Sequence, residues 1–412
     1  RALISSGRLE VYDPVRRANR MILDGQTLAN LEILVNSGGT MKGTLFSVLD
    51  HCCTPFGRRL LRLWVTHPLQ DPQMINLRLD LVDCLLSDQS LLNGLAKELR
   101  GLPDLERILS RVFAGSAKVR DFLAVLDALQ RIHGLFGRIE LDEAGLVGRI
   151  ISGVPDFQEQ LGYFANAFDR DLAMREGNIV PAPGVNELFD RAAEEFNLVQ
   201  SELAGYLKCQ QDILGCSNLR YKDLGKELYQ LEVPSSITKV PAEYCLMSRT
   251  KAVNRYWTPT IKDLVRRFQE AEVRRSEALQ NIFVDLLRQF SQHAPVWRSI
   301  VMKVGELDCL LSLARCSASM SEPKCRPQII DRAAGVSSML EMTELRHPCI
   351  PAEKEASFIP NTIQLAQSRM IILTGPNMGG KSTLLRQTCL ATIMAQVGCY
   401  VPASSARLTP VD

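Results

Sequence analysis

The sequence predicts a multidomain, mainly α-helical chain. A small α+β segment is inserted in it, and an α/β phosphate-binding domain begins near its end. Three observations predict this. Apolar residues recur at helical spacing from about Leu45 to Phe136 and again from Pro259 to Leu313. Between those stretches, Lys226-Glu-Leu-Tyr-Gln-Leu-Glu-Val-Pro234 alternates like a strand and stops at proline. Near the end, Gly375-Pro376-Asn377-Met378-Gly379-Gly380-Lys381-Ser382 fits G-x-x-x-x-G-K-[ST].

Composition sets outer bounds. The 412 residues suit two or three domains at about 150 residues each. With 46% hydrophobic and 23% charged residues, a sizeable core is expected. A net charge of +2 gives no global pull on nucleic acid, so any such contact must be local. There are twelve cysteines and no C-x-x-C pair. Cys84, Cys309 and Cys389 sit in apolar helical patterns, so buried free thiols in a reducing compartment are expected. No apolar run is long enough to span a bilayer, so no membrane association is expected. The chain starts at Arg1 and stops at Asp412, and a piece of a longer protein is expected.

Taken in order, residues 1–20 carry five arginines against two acids and read as the tail of a preceding element. Asn36-Ser-Gly-Gly39 marks a loop. Thr54-Pro55 is a helix start, with threonine as cap and proline at the first helical position. The helix beyond it carries Leu60, Leu61, Leu63, Trp64 and Val65 and stops before Pro68. Arg58, Arg59 and Arg62 form its polar side, as a solvated face or as phosphate contacts. Further helices run through Ile75–Leu86 and from Leu102-Pro-Asp-Leu-Glu-Arg107 onward, giving a bundle. Residues 150–186 read as loop-rich, and Pro181-Ala-Pro-Gly184 marks a domain boundary. A helix is expected over Glu187–Leu214, with Glu187, Asp190, Glu194 and Glu195 suited to its start.

Basic residues gather at the end of the β excursion and in the helix after it. Arg249 to Arg275 holds eight basic residues against three acids. Such a cluster can neutralise backbone phosphates without reading sequence, or can simply be a wetted helix face. A long helix is expected over Pro259–Phe290, then a buried one over Trp297–Leu313. From Cys325-Arg-Pro327 short apolar runs alternate with loops, as in an α/β domain. His347 reads as a hydrogen-bonded structural residue more readily than as a base. Phe358 fits either a core or a stacking role.

The phosphate loop has its own physical logic. Met370–Leu373 reads as a buried strand leading into it, and Leu384–Ala395 as a helix that Gly398 closes. Gly375, Gly379 and Gly380 permit close backbone approach, so loop N–H groups and the helix start can face phosphates. Lys381 supplies a positive charge, and Ser382 a hydroxyl for Mg²⁺.

Several stretches together resemble the MutS mismatch-repair ATPases. Thr374-Gly-Pro-Asn-Met-Gly-Gly-Lys-Ser-Thr383 looks like that family's phosphate loop, and Met394-Ala-Gln-Val-Gly-Cys-Tyr-Val-Pro-Ala403 comes after it as in the family. Arg346-His-Pro348 and Phe358-Ile-Pro-Asn361 fit the segment before it. Upstream, Asp24, Thr27-Leu-Ala-Asn-Leu-Glu-Ile33, Thr54-Pro-Phe-Gly-Arg-Arg-Leu60 and Leu102-Pro-Asp-Leu-Glu-Arg107 match its lever region. The likeness covers residues 18–412 and leans toward the larger, mismatch-reading subunit of the eukaryotic heterodimer.

The resemblance implies a division into a connector remnant (1–17), core and lever helices (18–186 and 259–325), an inserted DNA clamp (187–258), and the first part of the ATPase domain (326–412). It implies ATP or ADP held with Mg²⁺ by Gly375, Pro376, Asn377, Met378, Gly379, Gly380, Lys381, Ser382 and Thr383, with Phe358 against the adenine. It makes Lys226, Arg249, Lys251 and Arg255 candidate clamp contacts. It also implies mismatched double-stranded DNA and a second MutS subunit as partners, and a nuclear location. The family's Phe-x-Glu wedge and Walker B carboxylate have no match in these residues. ATP hydrolysis is therefore expected of a longer parent, with no complete catalytic set here. Two other classes fit the phosphate loop: a chromosome-maintenance ATPase, disfavoured by the lack of sustained heptads, and a structural arm with a vestigial site.

Overall fold

The computed structural model describes residues 20–140, 148–151, 153–181, 184, 186–225, 227–331, 338–350, 357–366, 368, 370–377 and 379–412. The chain is mainly helical, with two small four-stranded sheets. It divides into two compact units. One takes the chain up to Ala117, Ala124–Leu161 and His293–Asp412; the other takes Lys118–Leu123 and Gly162–Gln292.

The first unit is built on helices α1 (Gly25–Asn30), α2 (Leu45–Leu49), α3 (Pro55–Thr66), α4 (Pro72–Ser87), α5 (Gln89–Leu99) and α6 (Leu105–Phe113), and on most of α7 (Val119–Glu140). The start signal expected at Thr54-Pro55 is used, and similar local signals start the helices after it. Thr54 accepts from Gly57 N with Pro55 at the first position, and Asp71, Asp88 and Asp104 cap the next three. The expected loop at Asn36 is a tight turn in which Asn36 Oδ1 accepts from Gly38 N and Thr40 N.

Residues 150–186 depart from the loop-rich expectation. They hold the short helices α9 (Gln158–Asn166) and α10 (Arg170–Glu176), after α8 (Gly148–Ile151). The turn residues there end short helices rather than excluding them: Asp169 caps α10 and Gly177 closes it in a left-handed conformation. Ala182 and Pro183 of the boundary cluster lie outside the described residues.

The second unit pairs two long helices, α11 (Glu187–Leu214) and α12 (Pro259–Gln292). Glu202 meets Arg267 and Glu195 meets Arg274, so the two run antiparallel. Val199, Leu203, Leu264 and Phe268 fill the seam. Between them the chain makes β1 (Arg220–Leu224), β2 (Glu227–Pro234), β3 (Cys245–Arg249) and β4 (Val253–Trp257), an antiparallel sheet in the order β1-β2-β4-β3. Leu231 and Val233 of β2, with Tyr256 of β4, pack on Ile261 and Val265. Thr258 Oγ1 caps α12 through Ile261 N and hydrogen-bonds Tyr206 Oη at 2.8 Å, fixing the point where the sheet returns to the helix pair.

Helix α13 (Ala294–Ser319) is the hub of the first unit and packs against α2, α3, α4, α5, α6 and α8. Three of its polar residues, Asp308, Ser312 and Ser317, are buried because they serve other elements. Asp308, fully buried, accepts from Cys53 N (2.8 Å), Thr54 N (2.8 Å) and Thr54 Oγ1 (2.6 Å). Burial pushes its pKa up, against the pull of those donors. Ser312 accepts from His51 N and donates to Leu49 O.

Beyond α13, β5 (Gln328–Ile329), β6 (Leu340–Leu345), β7 (Asn361–Leu365) and β8 (Ser405–Leu408) form the second sheet, in the order β5-β8-β6-β7, with only the β5–β8 pair parallel. Helix α14 (Lys381–Val397) lies between β7 and β8 in sequence. The expected buried strand at Met370–Leu373 is not formed: Met370 is 74% and Ile372 79% exposed. A central strand is buried only where neighbours pair its edges and layers cover its faces. Among the described residues no strand lies beside this run.

Candidate nucleotide and nucleic-acid sites

The phosphate loop folds as its glycines require. Gly380 takes φ +80° immediately before α14, and a Cβ on Gly379 would sit 3.1 Å from Pro376 O. Gly379 N donates to that same carbonyl at 3.2 Å, closing the turn. The helix start has no side-chain cap, so its first N–H groups stay open to a ligand. Lys381 Nζ folds back onto the loop and donates to Gly375 O (2.6 Å) and Pro376 O (2.7 Å). These neutral acceptors hold the ammonium inside the loop's curve. Gly375, Pro376, Asn377, Ser382 and Thr383 are all exposed. The structure thus brings Gly375, Pro376, Gly379, Gly380 and Lys381 together around one turn, with Ser382 and Thr383 in the first turn of α14. Met378 lies outside the described residues. Phe358 is half-buried, three residues before β7.

The basic candidates of the β segment separate by environment. Arg249 ends β3 and is exposed, with Nε donating to Asn254 Oδ1 at 3.2 Å. Lys251 is exposed in the turn that Thr250 closes onto Val253. Arg255 is different: its guanidinium is bound to Glu232 at 2.7 Å and its side chain is 14% exposed. Glu232 also pairs with Arg220, and hydrogen bonds from Arg255 and then Arg220 hold its pKa below the usual range. Arg255 is committed to the sheet, whereas Arg249 and Lys251 are offered to solvent. Lys226 lies outside the described residues. Ser235 Oγ donates to Lys251 O, and Ser235 N to Ala252 O, so the end of β2 and the β3–β4 turn share one tip. Sequence reading did not single out Ser235; Pro234 ending the strand beside two serines is the signal that marks it.

Two family models match this chain: MutS domain III over residues 26–314 and MutS domain V over residues 371–412. The chain belongs to the MutS family. Among similar curated proteins are the DNA mismatch repair protein MSH6 of Saccharomyces cerevisiae, 38% identical across all of this chain and 34% of that protein, and Msh6 of Homo sapiens, 35% identical across 95% and 32%. The msh3 protein of Aspergillus terreus is 30% identical across 96% and 36%. The likeness is therefore greater to these MSH6 proteins than to that msh3. The chain spans about a third of the length of these relatives.

Other residues marked in the sequence find roles in this MutS chain. His347 is partly buried, its ring accepts from Cys349 N at 3.2 Å, and burial lowers its pKa, all in keeping with a structural residue. Of the three arginines on the polar side of α3, Arg58 and Arg62 are exposed, as a solvated face requires, and Arg59 is partly buried. Arg58 pairs with Asp50, and Arg59 holds both Asp104 and Glu106 at 2.6 Å. All twelve cysteines are free, but Cys84 is only partly buried and Cys389 is exposed; Cys309, Cys316 and Cys399 are buried. The expectation fails at Cys389, which lies on the same side of α14 as the exposed Leu385 and Arg386. No described helix is long and apolar enough to cross a membrane.

Proposed function

We propose that this chain supplies the lever helices, the DNA clamp and the opening of the ATPase domain of a mismatch-repair subunit. In this reading, ATP with Mg²⁺ held by residues 375–383 governs how the tip around Ser235, Arg249 and Lys251 grips mismatched duplex DNA. The subunit works in the nucleus with a second MutS-family subunit. The observation that carries the reading is the loop: an exposed, uncapped helix start whose one lysine is satisfied only by neutral carbonyls. A triphosphate offers that ammonium charged acceptors instead. Gly379 and Gly380 leave the space for phosphate oxygens, Ser382 can give its hydroxyl to Mg²⁺, and Phe358 can stack on the base.

Bound ATP would supply the energy of a transferable phosphoryl group. This chain's residues bind and orient it; the carboxylate that places the metal and the attacking water has no candidate here. At the other site Arg249 and Lys251 can neutralise backbone phosphates without reading sequence, as a clamp on any duplex requires. Support for the mismatch-repair assignment comes from the MSH6 relatives.

The test is Mg·ATP binding by the complete heterodimer, with Lys381→Ala beside the native chain. Loss of charge-assisted bonds worth about 1.5–3 kcal/mol should weaken binding at this site roughly 10- to 100-fold. Equal affinity in the two proteins would remove the loop from the mechanism.

A further inference from the structure

Helix α14 is exposed at one end and gripped at the other. Ser382, Thr383, Leu385 and Arg386 face solvent, whereas every residue from Leu390 to Val397 is buried. At about 1.5 Å per residue the helix is roughly 25 Å long, so the grip lies far from the loop. The elements that grip it belong to the helical body of the same unit. Arg78 of α4 sends Nη1 to Val397 O at 3.1 Å, the last carbonyl of the helix. Its guanidinium lies over the Trp64 ring, 3.5 Å from the centroid. Gly398 turns the chain away at φ +94°, and a Cβ there would come within 2.6 Å of Arg78 Cβ. Beside it, Leu69 N donates to Gln396 O, and Gln396 Nε2 donates to Leu69 O at 2.7 Å. The same helix α4 holds Tyr400, just past the turn, through Asp83, and Arg326 through Asp80 and Asp83.

We propose that Arg78 is a positioning residue: it pins the far end of the phosphate-loop helix to the helical body and so carries nucleotide occupancy of the loop into that body. This rests on the function proposed above. Helix α14 acts as a stiff rod held at one end. Displacement of the loop end, when phosphates replace the carbonyls around Lys381, must be taken up where the rod is clamped. Arg78 bonds the terminal carbonyl of the rod rather than a side chain on it, and its charge sits at the negative end of the helix dipole. Its guanidinium bonds that carbonyl and also lies over the Trp64 ring, which ties the helix end to α3 and α4. Burial lowers the Arg78 pKa to about 9, which leaves it protonated at neutral pH. Lysine keeps the charge and a donor but not the flat stack; methionine keeps bulk over Trp64 and loses both charge and donor.

The experiment uses the complete heterodimer with native chain, Arg78→Met and Arg78→Lys, each checked for folding by its urea midpoint. It measures Mg·ATP affinity with and without mismatched duplex, and duplex affinity with and without Mg·ATP. For Arg78→Met the expected result is ATP affinity without DNA within about threefold of native. The factor by which ATP alters DNA affinity falls about tenfold toward unity, and the factor by which DNA alters ATP affinity falls equally, as linkage requires. Arg78→Lys should lie between. A general loss of stability would lower the urea midpoint and would weaken ATP binding without DNA as well. Native-sized coupling in folded Arg78→Met overturns the proposal. If Arg78→Met does not fold, native-sized coupling in Arg78→Lys overturns it instead. A native heterodimer whose DNA affinity ignores ATP would show, before any substitution, that the functional reading itself is wrong.

Discussion

Replacing Gly57 by alanine tests how tightly α3 is seated on the hub helix. A Cβ at Gly57 would lie 2.2 Å from Asp308 Oδ2, 2.8 Å from Asp308 Cγ and 2.8 Å from Thr54 Oγ1. None of these atoms can yield freely. Asp308 Oδ2 holds Thr54 N and Thr54 Oγ1, Oδ1 holds Cys53 N, and Thr54 Oγ1 in turn caps Gly57 N. If the carboxylate retreats, Thr54 N is left buried and unpaired, at about 1–3 kcal/mol. If it stays, overpacking costs about 1–3 kcal/mol. Alanine's helix preference over glycine returns at most about 1 kcal/mol. Gly57→Ala should therefore lose roughly 1–2 kcal/mol net. Urea unfolding monitored by tryptophan emission is the assay, since Trp64 and Trp297 lie in the same unit. Gly305→Ala is the internal control: its Cβ would meet Leu60 Cδ2 at 3.4 Å and Phe56 Cδ2 at 3.6 Å, ordinary contacts inside a helix. It should be neutral or stabilising by up to about 1 kcal/mol. A Gly57→Ala midpoint equal to that of Gly305→Ala would refute the reasoning.

Gly398→Ala should destabilise the first unit, because its φ of +94° strains alanine and the new Cβ would strike Arg78; about 1–3 kcal/mol is expected, read from the same urea curves. Glu232 should make the second unit acid-sensitive. Its pKa is held below the ordinary 4.5 by Arg255 and Arg220, so its contribution is present above that value and disappears as pH falls through the depressed one. Melting curves of the native chain at pH 5, 4 and 3 should therefore slope more steeply than those of Glu232→Gln; parallel curves would contradict it. Arg249→Ala with Lys251→Ala in the heterodimer should weaken matched and mismatched duplexes alike and lower the salt dependence of binding by roughly two units of slope. A loss confined to mismatched duplex would assign those cations a different role.

Helix ends were legible in the sequence because their signals are local. Thr54-Pro55 and Gly398 act within one turn, and the structure uses each as expected. The long pair Glu187–Leu214 and Pro259–Gln292 was legible too, since periodicity over so many residues leaves little alternative. The phosphate loop was readable as a motif because its glycines and lysine serve conformation and charge within eight residues. Features that depend on distant partners were not readable. Met370–Leu373 has a strand's composition, but composition cannot supply the neighbours that bury a strand. Arg255 looked like Arg249 until Glu232, across the sheet, was seen to hold it. Asp308 and Arg78 drew no notice for the same reason. Each sits in an ordinary helical pattern, and its partner is far along the chain, 254 residues from Asp308 to Thr54 and 319 from Arg78 to Val397.

The most direct measurement is the affinity of the complete heterodimer for a mismatched duplex, titrated with and without Mg·ATP, in the native protein and in Lys381→Ala. The account predicts that, at an ATP concentration just sufficient to fill the native site, ATP changes the native affinity by about 5- to 150-fold, whereas Lys381→Ala, its site then largely empty, binds DNA nearly as the native protein does without nucleotide. An ATP response of native size in Lys381→Ala would contradict it.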